Sequence, residues 1–128
     1  MKALLDTNAF LWWVGKKDRL TTQAYAIIQD PENEIFLSVA SAWEIIIKAR
    51  SGKLILPDSP ERYIPSRVAY YGFRLLPIEA RHVLQLWTLA EHHRDPFDRI
   101  LVAQSQVELL PIITSDQTIP KYPVQVIW

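Results

Sequence analysis

Five short apolar runs alternate with longer stretches of helical pattern, and this alternation restricts the chain to few folds. The runs are Lys2–Leu5, Ile35–Ser38, Phe73–Leu76, Ile112–Thr114 and Val124–Ile127. Between them the spacing predicts helices from about Asn8 to Gly15, over Thr21–Gln29, Ser41–Arg50, Pro60–Tyr71 and Glu79–Leu89, and from Asp98 to Leu110. Ile100, Ala103, Val107 and Leu110 mark an apolar stripe on the last of these. Strands that run parallel need a crossover, and a helix supplies it. The pattern therefore predicts an α/β fold, a mostly parallel sheet with helices on both faces.

A chain of 128 residues with 49% hydrophobic content can bury one genuine core, so a single domain over residues 1–128 is expected. No Gly/Ser-rich linker, repeat or run of like charge divides it. The amino terminus passes straight into a strand pattern, and no uncharged stretch approaches the ~20 residues that span a bilayer. The expected setting is cytoplasmic, with no membrane partner. The chain has no cysteine, which excludes disulfides, thiolate zinc sites and cysteine nucleophiles. A metal must then rely on oxygen ligands and three histidines, and oxygen favours hard ions. The net charge of zero does little for nucleic-acid binding, which draws on Lys and Arg contacts to phosphate. Basic residues still gather at Lys16, Lys17 and Arg19, at Lys48, Arg50 and Lys53, and at Arg94 and Arg99. They form either a basic rim around an acidic centre or ordinary solvated faces.

Four acids stand where an apolar run gives way to a turn or helix. They are Asp6 after MKALL, Glu44 just beyond IFLSV, Asp98 opening the helix RILVAQ, and Asp116 after PIITS. Burying unpaired carboxylates is costly, so several that converge require a cation to hold them together. In a parallel sheet the carboxyl ends of the strands share one edge, and ligands bind in the crevice outside it. Asp6 and Asp116 fall just past strand ends, and Glu44 and Asp98 in the first turn or so of following helices. The four can therefore meet. Each also has an ordinary reading: Asp6 and Asp98 at helix starts, Glu44 paired with Lys48 one turn on, and Asp116 in an Asx turn.

The segments LLDTNAFLW, LSVASAWEIIIKARSGKL, HHRDPFDRILVAQ and IITSDQTI, in that order, resemble the acidic motifs of PIN-domain nucleases. They are most similar to those of VapC-type toxins of prokaryotic toxin-antitoxin pairs, over nearly the whole chain. The resemblance implies a three-layer α/β/α domain with about five strands. It also implies an endoribonuclease dependent on magnesium or manganese (Mg2+ or Mn2+), with a metal-activated water as the attacking group. Its catalytic and metal-binding quartet falls on Asp6, Glu44, Asp98 and Asp116. Thr7, Asn8, Thr114 and Ser115 lie beside these acids and would support them, with Asp95 either a supporting or a peripheral acid. Lys48, Arg50, Arg94 and Arg99 would steer a single-stranded or looped RNA backbone. A cognate antitoxin and a homodimer are the implied protein partners.

His92 and His93 are adjacent and cannot share a helix face, so they are read as exposed or loop-packing residues, and His82 as a helix-surface residue. Trp12 and Trp13 cannot both point into one core, so at least one should reach a surface groove or interface, which the resemblance to VapC-type toxins implies serves dimerisation and an antitoxin's helical segment. Two other functions compete. A phosphoryl-transfer enzyme with Asp6 as nucleophile wants a second Asp where Asn8 stands. A catalytically silent PIN-like module that binds RNA or protein would share the fold without the chemistry.

Overall fold

A computed structural model describes residues 1–128. The strands β1 (Lys2–Leu5), β2 (Glu34–Ser38), β3 (Arg74–Leu76), β4 (Ile112–Ile113) and β5 (Val126–Ile127) pair in the order β3-β2-β1-β4-β5. Every pairing is parallel, and Leu4 of β1 stands opposite both Phe36 and Ile112. The helices are α1 (Thr7–Gly15), α2 (Thr22–Gln29), α3 (Val39–Arg50), α4 (Pro60–Tyr71), α5 (Ala80–Gln85) and α6 (Pro96–Glu108).

Strand alternation sorts the apolar side chains onto two faces. Ala3, Leu5, Ile35, Leu37, Ile113 and Ile127 join a core with Phe10 and Trp13 of α1, Ala24 and Ile28 of α2, and Tyr63, Ile64 and Val68 of α4. Leu4, Leu76 and Ile112 face the opposite core, with Leu89 and the α6 residues Ile100, Leu101, Val102 and Ala103. Leu4, Leu5, Leu37, Ile112 and Ile113 are wholly buried, each contributing roughly 1.5–3 kcal/mol relative to exposure. The result is three layers, α/β/α, as the sequence implies.

Polar caps set where the helices begin. Asp6 Oδ1 accepts from the Ala9 N–H at 2.7 Å, Thr21 Oγ1 from Ala24 at 3.1 Å, Ser38 Oγ from Ala40 at 3.0 Å and Asp95 Oδ1 from Phe97 at 2.8 Å. The Ser38 cap starts α3 at Val39, ahead of the expected Ser41, so Glu44 lies in the second turn. The Asp95 cap, with Pro96 in the first helical position, starts α6 before Asp98. α4 stops on Gly72, whose φ of 71° is left-handed. α5 is shorter than expected. After Gln85 the chain tightens into a 3₁₀ turn over Leu86–Thr88, where the Thr88 hydroxyl donates to the Gln85 carbonyl at 2.8 Å.

His82 is fully buried, contrary to its expected surface position. Its Nδ1 accepts from the Glu79 N–H at 2.9 Å and its Nε2 lies 3.0 Å from Glu108 Oε1, while Arg81 pairs with both glutamates. The network ties α5 to α6. Trp13 belongs to the core and Trp12 is half-buried against Trp128, so the most exposed tryptophans are instead Trp43 and Trp87, 59% and 93% exposed. No helix is long and apolar enough to cross a membrane.

The winding reverses at β1. β2 and β3 build to one side of it, β4 and β5 to the other. A crevice opens at the carboxyl ends of strands where such a reversal occurs.

Candidate functional site

The crevice beyond β1 and β4 is a hollow of about 160 Å3 lined by Asp6, Thr7, Asn8, Glu44, Lys48, Asp95, Asp98, Ser115 and Asp116, with no apolar residue among them. All four acids of the expected quartet thus reach one place, from β1, α3, α6 and the turn after β4. Asp95 joins them.

Backbone, hydroxyl and lysine donors aim Asp6, Glu44 and Asp116. Asp6 uses Oδ1 to cap α1, while its Oδ2 accepts from the Thr114 hydroxyl, one residue past β4. Glu44 Oε1 accepts from the Thr7 hydroxyl at 2.6 Å, and Oε2 from Lys48 Nζ at 2.7 Å. Thr7 also pairs with the Ser41 hydroxyl at 2.9 Å, which links α1 to α3. Asp116 Oδ1 accepts from the Thr118 N–H at 2.6 Å and from Ile119 at 3.2 Å, which is an Asx turn. The ordinary roles and the site are therefore compatible: a capping bond holds Asp6, a turn holds Asp116 and the Lys48 pair holds Glu44, all at the edge of the same hollow.

The electrostatics of the hollow follow from burial and the crowding of its acids. Burial pushes the Asp6 carboxyl from 3.8 up to about 6, although the hydrogen bonds from Thr114 and Ala9 oppose it. Asp98 is pushed up to about 7, first by burial and then by the charge of Asp95, with Asp116 and Glu44 adding to it. Burial also acts on Asp116, but His93 and the N–H groups of Thr118 and Ile119 outweigh it and lower its pKa. The Glu44 hydrogen bond raises the Lys48 ammonium further. Five carboxylates face one lysine among the lining residues. A hard oxygen donor set with uncompensated negative charge fits a divalent cation, which would hold the acids ionised.

The basic residues divide differently from expectation. Lys48 lines the hollow, whereas Arg50 lies by Ile46, Ala49, Pro60 and Glu61, and Arg94 is exposed outside the lining. Arg99 is occupied by the chain itself: its Nη1 donates to the Ala90 carbonyl at 2.9 Å and to the Tyr122 hydroxyl at 3.1 Å. Sequence reasoning missed His93, whose Nε2 lies 3.0 Å from Asp98 Oδ2 and 3.1 Å from Asp116 Oδ2. The helix-face argument does not bear on it, because both histidines lie in the loop before α6, where adjacent side chains can take separate directions. There the neighbours part company, with His92 edge-on to the Tyr122 ring at 5.0 Å.

Fold and cleft together define a class, the parallel α/β domains that gather acidic residues at a winding reversal. The PIN domain family model matches residues 3–125, and the chain belongs to that family. Ribonuclease VapC16 of Mycobacterium tuberculosis (strain ATCC 25618 / H37Rv) is 46% identical over 57 residues, which are 44% of this chain and 40% of that protein. The match thus spans less than half of that relative. Among solved structures, VapBC2 from Rickettsia felis, bound to a DNA fragment from their promoter, aligns with a TM-score of 0.73 at 12% identity, covering 100% of this chain and 99% of that one. FitAcB from Neisseria gonorrhoeae aligns at 0.68 and 18% identity, covering 100% and 97%. VapBC-1 from nontypeable Haemophilus influenzae gives 0.68 and 18%, covering 99% and 97%. These likenesses show a shared fold.

Proposed function

We propose that this chain is an endoribonuclease dependent on Mg2+ or Mn2+, the toxin of a pair whose antitoxin holds it silent. The observation that carries this reading is the convergence of Asp6, Glu44, Asp98 and Asp116 on a hollow with one lysine. Similarity to a relative named as a ribonuclease supports it.

Asp6, Glu44, Asp98 and Asp116 would hold the ion, which when bound supplies a water of lowered pKa and neutralises charge on the phosphoryl oxygens. Hydrolysis joins the water oxygen to phosphorus and breaks the bond to O3′, leaving a 5′ phosphate and a 3′ hydroxyl. The chain's own groups prepare this arrangement. Ala9 and Thr114 fix Asp6, Thr7 and Lys48 fix Glu44, and the N–H groups of Thr118 and Ile119 fix Asp116. Lys48 is half-buried and stands beside Glu44, where its ammonium can meet a phosphate oxygen. Asn8 and Ser115 are exposed at the mouth and offer an amide and a hydroxyl to the sugar-phosphate. A narrow hollow favours single-stranded or looped RNA, which can bend a phosphate inward.

Protein partners have a surface to use. Trp43, Ile78, Val83, Leu86, Phe97 and Ile100 line an apolar groove between α3, α5 and α6, and Trp87 and Leu84 stand exposed on the α5 side. Solved neighbours named as a toxin-antitoxin complex, from Klebsiella pneumoniae, and as a member of the VapBC family of toxin-antitoxin systems, from Mycobacterium tuberculosis, support an antitoxin segment as the occupant. A homodimer in the cytoplasm completes the reading.

The test is incubation of the purified protein with a pool of structured RNAs in Mg2+, Mn2+ or EDTA, beside Asp6→Asn and Asp98→Asn. Cleavage that requires the ion and disappears in both variants supports the reading. Cleavage that survives both substitutions overturns it.

A further inference from the structure

His93 stands against the two acids supplied by the last third of the chain. Its Nε2 hydrogen-bonds Asp116 Oδ2 at 3.1 Å and lies 3.0 Å from Asp98 Oδ2. On the other side of the ring, Nδ1 accepts from the Asp95 N–H at 3.3 Å. A ring nitrogen that accepts carries no proton, so the proton of the neutral imidazole sits on Nε2 and faces Asp116. Moving it to Nδ1 would set one N–H against another. In this tautomer Nε2 has no lone pair for a metal. His93 is therefore a donor to the acids, not a further ligand among them.

The loop that carries it is anchored from both sides. The His93 N–H donates to the Tyr122 hydroxyl at 2.8 Å, and Arg99 Nη1 reaches that hydroxyl at 3.1 Å and the His93 carbonyl at 3.4 Å. Arg99 belongs to α6 with Asp98, and Tyr122 follows Asp116 beyond β4. The elements that bring the two acids also bring the anchors of the histidine between them. A donor between the two carboxylates offsets their mutual repulsion.

We infer that His93 is a positioning residue of the ribonuclease site, holding Asp116 beside Asp98 through its Nε2–H while Arg99 and Tyr122 hold the histidine in place. The inference rests on the reading under Proposed function, and two readouts separate them. Long-range 1H–15N spectra of the metal-free protein should find the His93 proton on Nε2, and a proton on Nδ1 would overturn the inference. Calorimetric titration with Mn2+ gives the second. His93→Leu, which keeps bulk but donates nothing, should weaken Mn2+ binding about tenfold or more, as loss of an outer partner of metal-binding groups does. His93→Gln, whose amide can donate, should restore most of the affinity, and Tyr122→Phe, which touches neither acid, should show a smaller loss. Should His93→Leu fail to fold, the loss must still appear in Tyr122→Phe. Unchanged or tighter Mn2+ binding in the folded variants would overturn the inference. If the unsubstituted protein binds no Mn2+, the ribonuclease reading falls instead, and the tautomer alone decides whether His93 holds Asp116.

Discussion

His82 and His93 each accept a backbone N–H on Nδ1 and turn Nε2 toward carboxylates, yet the charges around them differ. Around His82, Glu79 and Glu108 share Arg81, and the buried ring closes a tie between α5 and α6. Around His93, Asp98 and Asp116 sit in a hollow with Asp6, Glu44 and Asp95, where Lys48 is the one lysine and already bound to Glu44. The same local geometry is a structural joint where one arginine serves two carboxylates and a candidate site where one lysine stands among five. Uncompensated charge, rather than the histidine–carboxylate contact, sets the candidate site apart.

The sharpest way to break this comparison is activity. Asp98→Asn should lower the RNA cleavage rate by on the order of 10²–10³-fold, the usual loss when a preorganised electrostatic group is removed. Glu108→Gln, its counterpart in the His82 cluster, should leave the rate unchanged once the protein is folded. Equal losses in single-turnover cleavage would erase the distinction.

Stability should separate the clusters in the opposite order. His82→Ala empties a fully buried position and strands the Glu79 N–H, at a cost of about 2–4 kcal/mol. Denaturant unfolding measures this, with Mn2+ affinity unaffected. Asp98→Asn should instead stabilise the metal-free protein by about 1 kcal/mol near pH 8, because it removes a buried charge. Denaturant midpoints that fall in Asp98→Asn would mean the hollow already compensates its acids.

The response to pH follows from Asp6 and Asp98. Their folded-state values of about 6 and about 7 lie above the ordinary 3.8. A carboxyl raised by folding contributes stability that is fully present below the ordinary value and is lost as pH rises through the folded one. The metal-free protein should therefore lose stability between pH 4 and about 7, and Asp98→Asn should flatten the upper part of that decline in a melting series. The smallest effect belongs to Arg81→Gln. Its exposed guanidinium is screened by solvent, so the melting temperature should barely move.

Much of this fold is legible in the sequence. Strand runs and helical spacing locate all five strands and six helices, because the two periods are local properties of the chain. The four acids are legible for the same reason, since strand ends in a parallel sheet share an edge. Side chains whose place depends on distant partners are not. His93 is turned inward by Tyr122, Arg99 is drawn to a loop and away from the hollow, and His82 is buried by contact with α6. Trp12 and Trp13 attract notice as neighbours, but Trp13 fits between Tyr25 and Tyr71, and the exposed apolar surface falls to Trp43 and Trp87.

The central claim, a shared cation site at the winding reversal, is tested most directly by anomalous scattering from crystals grown with Mn2+. The account predicts a manganese peak within coordinating distance of Asp6, Glu44, Asp98 and Asp116, and none at Glu79, His82 and Glu108. A peak confined to the His82 cluster, or no peak in the hollow at saturating Mn2+, would contradict it.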